Sequence, residues 1–298
     1  MDFNLIDLVI TVGADDVTQL CLGLPLLGNA FQAACRKSAC LHPEKSCNSC
    51  SRQKGCTWNL VFGQHLSSDP SALKRFQKPS LPFIFTFPCR ADLAEHVSEV
   101  EYRLVVVGRA IQSLEMLLEG FGDVLSTFGA EIRSIGTRDY QGTVSLLEEV
   151  YDVNCLENLV VLSSSDLFEH CIWTDNVLHI QLLSPLRLFE DGRLLRRFNF
   201  KRFAMSLLRR VSSIAYYYGA HEIDSDYKEL ACRADAIDCL DDRFTFSAGS
   251  DRRISGVVGS GRFVGDFSGL LPFLSAGTYL HVGKGSAFGM GAYGLSGP

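Results

Sequence analysis

The chain has 298 residues, of which 47% are hydrophobic and 21% charged, a composition that argues against a disordered protein. Its length is about twice that of a usual domain, so we expect two domains. The formal charge is −6, from 28 basic and 34 acidic residues. That total disfavours a protein that coats nucleic acid through bulk positive charge.

The N-terminal residues, MDFNLIDLVITVG, are acidic where a secretory signal peptide would be basic. No apolar run approaches the roughly 20 residues of a membrane span. We therefore expect a cytoplasmic protein with no membrane partner. In that compartment the eleven cysteines are more typical of buried thiols or metal ligands than of disulfides.

Charge is unevenly distributed along the chain. Residues 1–184 carry a net charge of −9 and residues 185–298 a net charge of +3. Within residues 186–210, two acidic residues accompany eight basic ones: Arg187, Arg193, Arg196, Arg197, Lys201, Arg202, Arg209 and Arg210. A solvated helix face is the ordinary explanation of such a run, and a basic binding surface is the alternative.

Hydrophobic patterning predicts similar elements in each half. In the first half, strands are predicted at 5–12, 81–87, 100–107 and 138–150, and helices at 25–36 and 109–127. After a linker at 163–165, strands are predicted at 177–183, 244–246 and 254–263, and helices at 200–218 and 270–274. The second helix leads into a strand, a glycine-rich turn and a last strand. Each half thus has the split βαβ, or ferredoxin-like, character.

These elements predict an α+β protein built from tandem ferredoxin-like (RRM-like) domains. The expected domains are residues 1–165 and residues 166–298. A small zinc-ribbon-like insertion is expected in the first domain, at about residues 35–62, and a glycine-rich loop in the second, at 281–291.

A cysteine cluster indicates the insertion. Its four members lie within seventeen residues: Cys40, Cys47, Cys50 and Cys56. Four thiolates form the closed tetrahedral coordination of structural zinc, and a loop-like segment gains order from such a metal. Cys35 or His42 could replace one ligand. Buried free thiols, or a redox pair at Cys47 and Cys50, are the alternatives.

A second cluster lies near the C-terminus, in LHVGKGSAFGMG. Its glycines allow positive φ and close approach of the backbone to a ligand, and consecutive free amides can cradle phosphate oxygens. A sharp turn is the alternative. The residues expected to bind RNA phosphates here are Gly283, Lys284, Gly285, Ser286, Gly289 and Gly291, with Arg252 and Arg253 upstream.

Residues 269–295 resemble the C-terminal end of the CRISPR repeat-processing endoribonucleases of the RAMP superfamily. Their hallmark loop has the form G-h-G-x5-G-h-G, with a basic residue among the five. This chain matches it from Gly283 to Gly291, but His281 replaces the first glycine. The segments LLSPLRLFEDGR and GNAF, the latter followed by the cysteine cluster, are also similar to that family, in the branch with a cysteine-rich insertion.

The resemblance implies a protein that binds the repeat hairpin of a CRISPR precursor transcript and cuts it without a metal. The 2′-hydroxyl attacks the scissile phosphate, leaving a 2′,3′-cyclic phosphate, and the product guide RNA often stays bound among other CRISPR effector subunits. Arg196, Arg197, Lys201 and Arg202 would contact RNA from one helix. A non-catalytic RAMP subunit that only binds guide RNA is the alternative, and a zinc-ribbon interaction module without an RNA role is a third interpretation.

Cleavage of this kind needs a base, an acid and positive charge beside the phosphate. Histidine suits the first two roles near neutral pH. The resemblance implies a histidine near the first helix of the first domain, which favours His65, then His42, with His281 third. Cleavage by Tyr or Ser, or through positioning alone, stays open.

Overall fold

A computed structural model describes residues 3–17, 20, 26–42, 44, 46–70, 72, 79–88, 98–147, 159–169, 176–219 and 222–297. Within these ranges the chain forms two antiparallel sheets, one from each half, and a separate two-stranded hairpin. None of the described helices is long and apolar enough to cross a membrane.

The first sheet is built around its long N-terminal strand, β1, which is apolar on both faces and pairs with three other strands. The sheet order is β2-β3-β1-β4-β5, with β6 beside the start of β1. Its strands are β1 (Asn4–Ala14), β2 (Phe83–Thr86), β3 (Glu99–Val107), β4 (Ala130–Arg138), β5 (Val144–Leu146) and β6 (Val161–Ser163).

Helices cover one face of this sheet. They are α1 (Gly28–Ala39), α2 (Thr57–Phe62) and α3 (Leu114–Ser126). Alternate residues of β1, such as Ile6 and Leu8, point into their core beside Phe31 and Phe121. Because β4 and β3 flank β1 and β2 lies outside β3, the strand order is that of the ferredoxin-like arrangement.

The second sheet repeats this order as β10-β12-β7-β13, with β11 beside β12. Its strands, with the β8–β9 hairpin, are β7 (Val177–Leu186), β8 (Phe189–Glu190), β9 (Arg193–Leu194), β10 (Asp238–Asp242), β11 (Thr245–Ser247), β12 (Gly256–Val264) and β13 (Tyr293–Ser296). The helices are α4 (Ser164–Glu169), α5 (Phe200–Gly219), α6 (Tyr227–Asp235) and α7 (Leu271–Leu280). The predicted tandem ferredoxin-like α+β fold is therefore confirmed.

The two halves share a hydrophobic core. Phe3, Leu5 and Val105 lie on the face of the first sheet that is opposite its helices, and they belong to the same buried cluster as Leu178 and Phe203 of the second half. Burial of this apolar surface stabilises one fixed arrangement of the halves. The predicted boundary near residue 165 stays a prediction; residue 165 lies within α4, which packs against α7 of the second half.

The structure differs from the sequence predictions at five places. The linker predicted at 163–165 is instead the end of β6 and the start of α4. The strand predicted at 138–150 lies earlier, as β4, with only the short β5 after it; residues 148–150 lie outside the described residues, as does position 25 of the first predicted helix. Strand β10 was not predicted. Helix α7 continues to Leu280, so the glycine-rich loop joins a helix to a strand and not two strands. Arg196 and Arg197 precede α5 and are not helical.

Candidate functional site

A cavity of about 740 Å³ opens where the segment after the cysteine cluster meets the end of α5. His65 lines it from the first half together with Lys54 and Arg109, and Tyr217 lines it from the second half. Two hydrogen bonds to Tyr217 join the halves at its rim: Arg109 Nη2 donates to the backbone oxygen at 2.9 Å, and the Ser67 amide donates to the hydroxyl at 3.3 Å.

His65 is exposed on the wall of this cavity, and its ring is oriented by a buried neighbour. Its Nε2 lies 2.8 Å from Asn59 Oδ1, and Asn59 Nδ2 donates to the Gln53 backbone oxygen at 3.0 Å. An imidazole, an ammonium and a guanidinium thus face one space large enough for a nucleotide. This set combines proton transfer with stabilisation of a developing phosphorane charge.

His42 lies in the loop after α1. Its side chain is 37% exposed, and its Nδ1 lies 3.7 Å from Glu44 Oε1. It is absent from the residues that line the cavity of His65. The structure therefore does not bring these two candidate histidines into one site.

His281 is buried between the halves, with 1% of its surface exposed. Burial, together with the positive charges of Arg210 and Arg103, lowers its pKa to about 3. Its Nε2 lies 3.1 Å from Thr86 Oγ1, across the contact between the halves. Its backbone has φ +54°, a conformation that favours glycine, which explains why the related loop pattern has glycine at this position. A neutral, buried imidazole suits a structural contact between the halves better than proton transfer to RNA.

The glycine-rich loop does have the positive φ values expected, at Gly283, Gly285, Gly289 and Gly291. Its close approaches, however, are to protein. A Cβ at position 291 would overlap the backbone oxygen of Val282, and one at 289 would meet the ring of Phe87. Only 4% of Ser286 is exposed, and positions 289 and 291 are buried, so these three residues present little surface to a ligand, and their contact with RNA stays a prediction.

This loop docks onto the first half. The Phe85 amide donates to the Ala287 backbone oxygen at 3.0 Å, and the Phe288 ring packs edge-on against Phe83, with 5.5 Å between centroids. Lys284 remains exposed at the tip, where its Nζ lies 5.4 Å from the centre of the Phe189 ring. Lys284 is thus the charged residue of the loop that RNA can reach.

A second cavity, of about 900 Å³, gathers the predicted basic residues at the start of α5. Arg196, Arg197, Lys201 and Arg202 all line it, so the structure brings this set together. We call it the basic groove. Lys201 is paired with Asp235 at 3.0 Å and Arg202 with Glu190. The Arg196 guanidinium lies 4.5 Å from the centre of the Phe246 ring, and Arg197 has no ion pair with any described residue.

Arg252 and Arg253 are exposed on a single turn before β12. Arg253 donates to both carboxylate oxygens of Asp251, and these hydrogen bonds lower the pKa of Asp251 to about 2. The positive charge of Arg253 is therefore paired with Asp251, whereas Arg252 has no ion pair with any described residue.

The cysteine cluster forms no assembled metal centre in the described part of the chain, where no three His, Cys, Asp or Glu side chains are arranged to hold one ion. The four cysteines Cys40, Cys47, Cys50 and Cys56 are each partly exposed and unbonded. Cys35 is buried, and burial raises the pKa of its thiol to about 12, which disfavours the thiolate that zinc needs. The zinc site and the zinc-ribbon-like insertion stay predictions.

Sequence reasoning missed the neighbours of His65 and a buried charge cluster. Asn59, Lys54 and Arg109 do not belong to any recognisable sequence motif. Asp7, in contrast, is a lone carboxylate within the apolar strand LIDLVITV, which is a recognisable signal. It accepts hydrogen bonds from Arg103 and Arg138 on the face toward the second half.

Comparisons with known proteins agree with this fold. The family model described as CRISPR-associated endoribonuclease Cas6 matches residues 180–293, and a model of an N-terminal domain matches residues 24–165. No curated protein matches the chain in sequence.

Several solved structures share the fold. Thermus thermophilus Cas6 is 13% identical over 99% of both chains, with a TM-score of 0.54. A Cas6 product complex is 14% identical over 99% of this chain and 100% of that one, with a TM-score of 0.56. A chain of a partial Cas6-RT-Cas1–Cas2 complex is 13% identical over 99% of this chain and 46% of that one, with a TM-score of 0.61. Residues 180–293 of the second half thus match the CRISPR-associated endoribonuclease Cas6 family, and the chain shares its fold with solved Cas6 structures.

Proposed function

We propose that this endoribonuclease binds the hairpin of a CRISPR repeat and cleaves it without a metal ion. The 2′-hydroxyl next to the scissile phosphate attacks phosphorus, the bond to the 5′ oxygen breaks, and a 2′,3′-cyclic phosphate and a 5′-hydroxyl result. The observation that carries the proposal is the cavity that His65, Lys54 and Arg109 line together.

His65 is the group we assign to proton transfer at the 2′-hydroxyl. Its ring is exposed to the cavity and already oriented by Asn59, whereas His281 is buried and neutral. His42 is the second candidate, because it too is accessible. Lys54 and Arg109 supply the positive charge that a phosphorane needs.

The basic groove is the surface that we assign to the RNA stem. A stem is recognised through phosphates and 2′-hydroxyls, so a concave patch of guanidinium groups suits it. Arg197 and Arg196 are the residues with charge available there, and Lys284 and Arg252 extend the positive surface in the same half. The product guide RNA and other CRISPR effector subunits are the partners that this function implies, in the cytoplasm.

A structural zinc ion at Cys40, Cys47, Cys50 and Cys56 is the cofactor that we propose, with no part in cleavage. Four thiolates with short spacings in a loop support it, and their partial exposure leaves them accessible to an ion. Elemental analysis of the purified protein tests this proposal, and a zinc-to-protein ratio near zero would refute it.

The test of the function is incubation of labelled repeat RNA with the protein in EDTA. The proposal predicts one cut at the 3′ base of the hairpin and a product that ends in a cyclic phosphate. Tight binding without cleavage would instead support a non-catalytic RAMP subunit, and no binding at low salt, where phosphate contacts are strongest, would exclude both RNA functions.

A further inference from the structure

His65 sits in a short segment that the surrounding structure holds in a strained shape. The residue before it, Gln64, has φ +45°, a left-handed conformation that costs a non-glycine residue free energy. The Gln64 side chain offsets this cost by donating from Nε2 to the Pro79 backbone oxygen at 2.6 Å. Such strain persists where the neighbours fix it, and the residue that follows, His65, lines the cavity.

Gly63 leaves the space that the His65 ring needs. A Cβ at that position would lie 2.6 Å from His65 Nε2 and 2.7 Å from Asn59 Oδ1, in the middle of their hydrogen bond. The contact between His65 and Asn59 is therefore built into the segment, since the backbone, the glycine and the strained Gln64 all accommodate it.

The orientation of the Asn59 amide follows from its other hydrogen bond. Asn59 is 7% exposed, and its Nδ2 donates to the Gln53 backbone oxygen at 3.0 Å, which can only accept. The opposite end, Oδ1, must then face His65, and an amide oxygen can only accept. His65 Nε2 is accordingly the donor, so the neutral ring carries its proton on Nε2.

We propose that Asn59 is a positioning residue that holds His65 in the Nε2–H tautomer and leaves Nδ1 free to take the proton of the RNA 2′-hydroxyl. This inference rests on the proposed function. The 2′ oxygen forms its bond to phosphorus as its proton moves to the Nδ1 lone pair, the bond to the 5′ oxygen breaks, and that oxygen takes a proton from water.

The other groups around the ring are consistent with a neutral partner for His65. Lys54, Cys56, Arg109, Tyr217 and Tyr218 line the same cavity, and no carboxylate is among the described residues that line it. An uncharged amide orients the ring without holding it in the imidazolium form, which could not accept a proton. The same choice of an acceptor-only contact fixes ring orientation where histidine binds metals.

The test is the tautomer itself, read from long-range ¹H–¹⁵N correlations of protein labelled at histidine, with the His65 signals assigned by their loss in His65→Ala. We expect the wild-type ring in the Nε2–H form. Asn59→Ala should give a mixture of tautomers and a cleavage rate lower by roughly 10–100-fold with unchanged RNA affinity. Asn59→Asp keeps an acceptor oxygen, so the neutral ring should keep the Nε2–H tautomer, but the carboxylate should favour the imidazolium form and lower the cleavage rate. The exposed Asn29→Ala is the matched control.

An Nδ1–H ring in the wild-type protein would overturn the inference without the use of any variant at Asn59. So would an unchanged tautomer in folded Asn59→Ala. If His65→Ala cleaved RNA at the wild-type rate, the proposed role of His65 in cleavage would be wrong, and so would the role of its Nδ1 as the acceptor of the 2′-hydroxyl proton. The NMR measurement would then still show whether Asn59 orients the ring.

Discussion

Asp7 binds two arginines at the contact between the two halves of the molecule. Its carboxylate is fully buried and accepts hydrogen bonds from Arg103 Nη2 at 2.7 Å and Arg138 Nε at 2.8 Å. Both arginines lie on strands adjacent to β1, so the sheet itself sets the geometry. Removal of the carboxylate would leave two partly buried guanidinium groups without their counter-charge.

Burial raises the pKa of Asp7 and so offsets part of the attraction to the arginines; Asp7→Asn should therefore lower the free energy of unfolding by about 1–3 kcal/mol, the cost of leaving partly buried donors without their acceptor. The control is Glu131→Gln, which breaks the exposed pair with Arg133 and should change stability by about 0–1 kcal/mol. Urea unfolding at pH 7 measures both. Equal changes in the free energy of unfolding would mean that the buried cluster stabilises the fold no more than the exposed ion pair does.

His281 should make stability depend on pH. Burial lowers its pKa to about 3, whereas an unfolded chain has the ordinary value of about 6.5. Between these values the unfolded state binds more protons, so stability is fully present above pH 6.5 and falls as the pH decreases toward 3. The slope contributed is up to about 1.4 kcal/mol per pH unit.

The comparison is urea unfolding at pH 7.5 and 5.5 of the wild-type protein and His281→Gly, a replacement that suits the positive φ. The variant should lose less stability on acidification than the wild-type protein. An identical loss in both proteins would contradict the assignment of a buried, neutral His281.

At the scale of elements, the glycine-rich loop acts as a connection between the halves. It leaves α7, docks on β2 through Ala287 and Phe288, and returns to the second sheet as β13. The glycine spacing of the loop is explained by these close backbone contacts, with Lys284 at the exposed tip.

Gly291→Ala should lower the free energy of unfolding by about 1–3 kcal/mol, because φ is +70° and the added Cβ would overlap the Val282 backbone oxygen. Gly294→Ala is the control, since a Cβ there meets nothing within 4 Å. Thermal or urea unfolding distinguishes them. A Gly291→Ala protein as stable as Gly294→Ala would show that the loop does not need its glycine.

Elements whose buried faces produce a clear apolar pattern in the sequence were predictable, and elements without such a pattern were not. Strand β1 reads as an apolar run because both of its faces are covered, and α5 has the spacing of a helix with one buried face. Strand β4 has the sequence AEIRSIGTR, which alternates polar with apolar residues and lacks a continuous apolar run. The predicted strand therefore falls on the segment after it, at 138–150. The site was predictable only as far as His65, since its contact with Asn59 and the cavity that it shares with Arg109 arise from folding.

At the scale of the whole molecule, charge is sorted between the halves. The first half is acidic, yet it supplies the His65 cavity with Lys54 and Arg109; the second half supplies the basic groove. An acidic total of −6 is thus compatible with one RNA-binding face, because the basic residues are concentrated there. The negative remainder opposes RNA binding elsewhere on the surface.

Arg197→Gln should weaken binding of repeat RNA and reduce the slope of log affinity against log salt by about one, the loss of a single phosphate contact. Arg133→Gln, an exposed arginine on the first sheet, should leave the slope unchanged. Binding isotherms between 50 mM and 300 mM salt (roughly the range over which phosphate contacts weaken most) measure both. An unchanged slope for Arg197→Gln would place the RNA on another surface.

The most direct test of the account is single-turnover cleavage of a CRISPR repeat RNA in EDTA by the wild-type protein, His65→Ala and His42→Ala. The account predicts a cyclic-phosphate product from the wild-type protein, a rate lower by about 10²–10⁴-fold in His65→Ala, and the wild-type rate in His42→Ala. Wild-type cleavage by His65→Ala together with loss of cleavage in His42→Ala would contradict it, and would move the catalytic centre to the loop after α1.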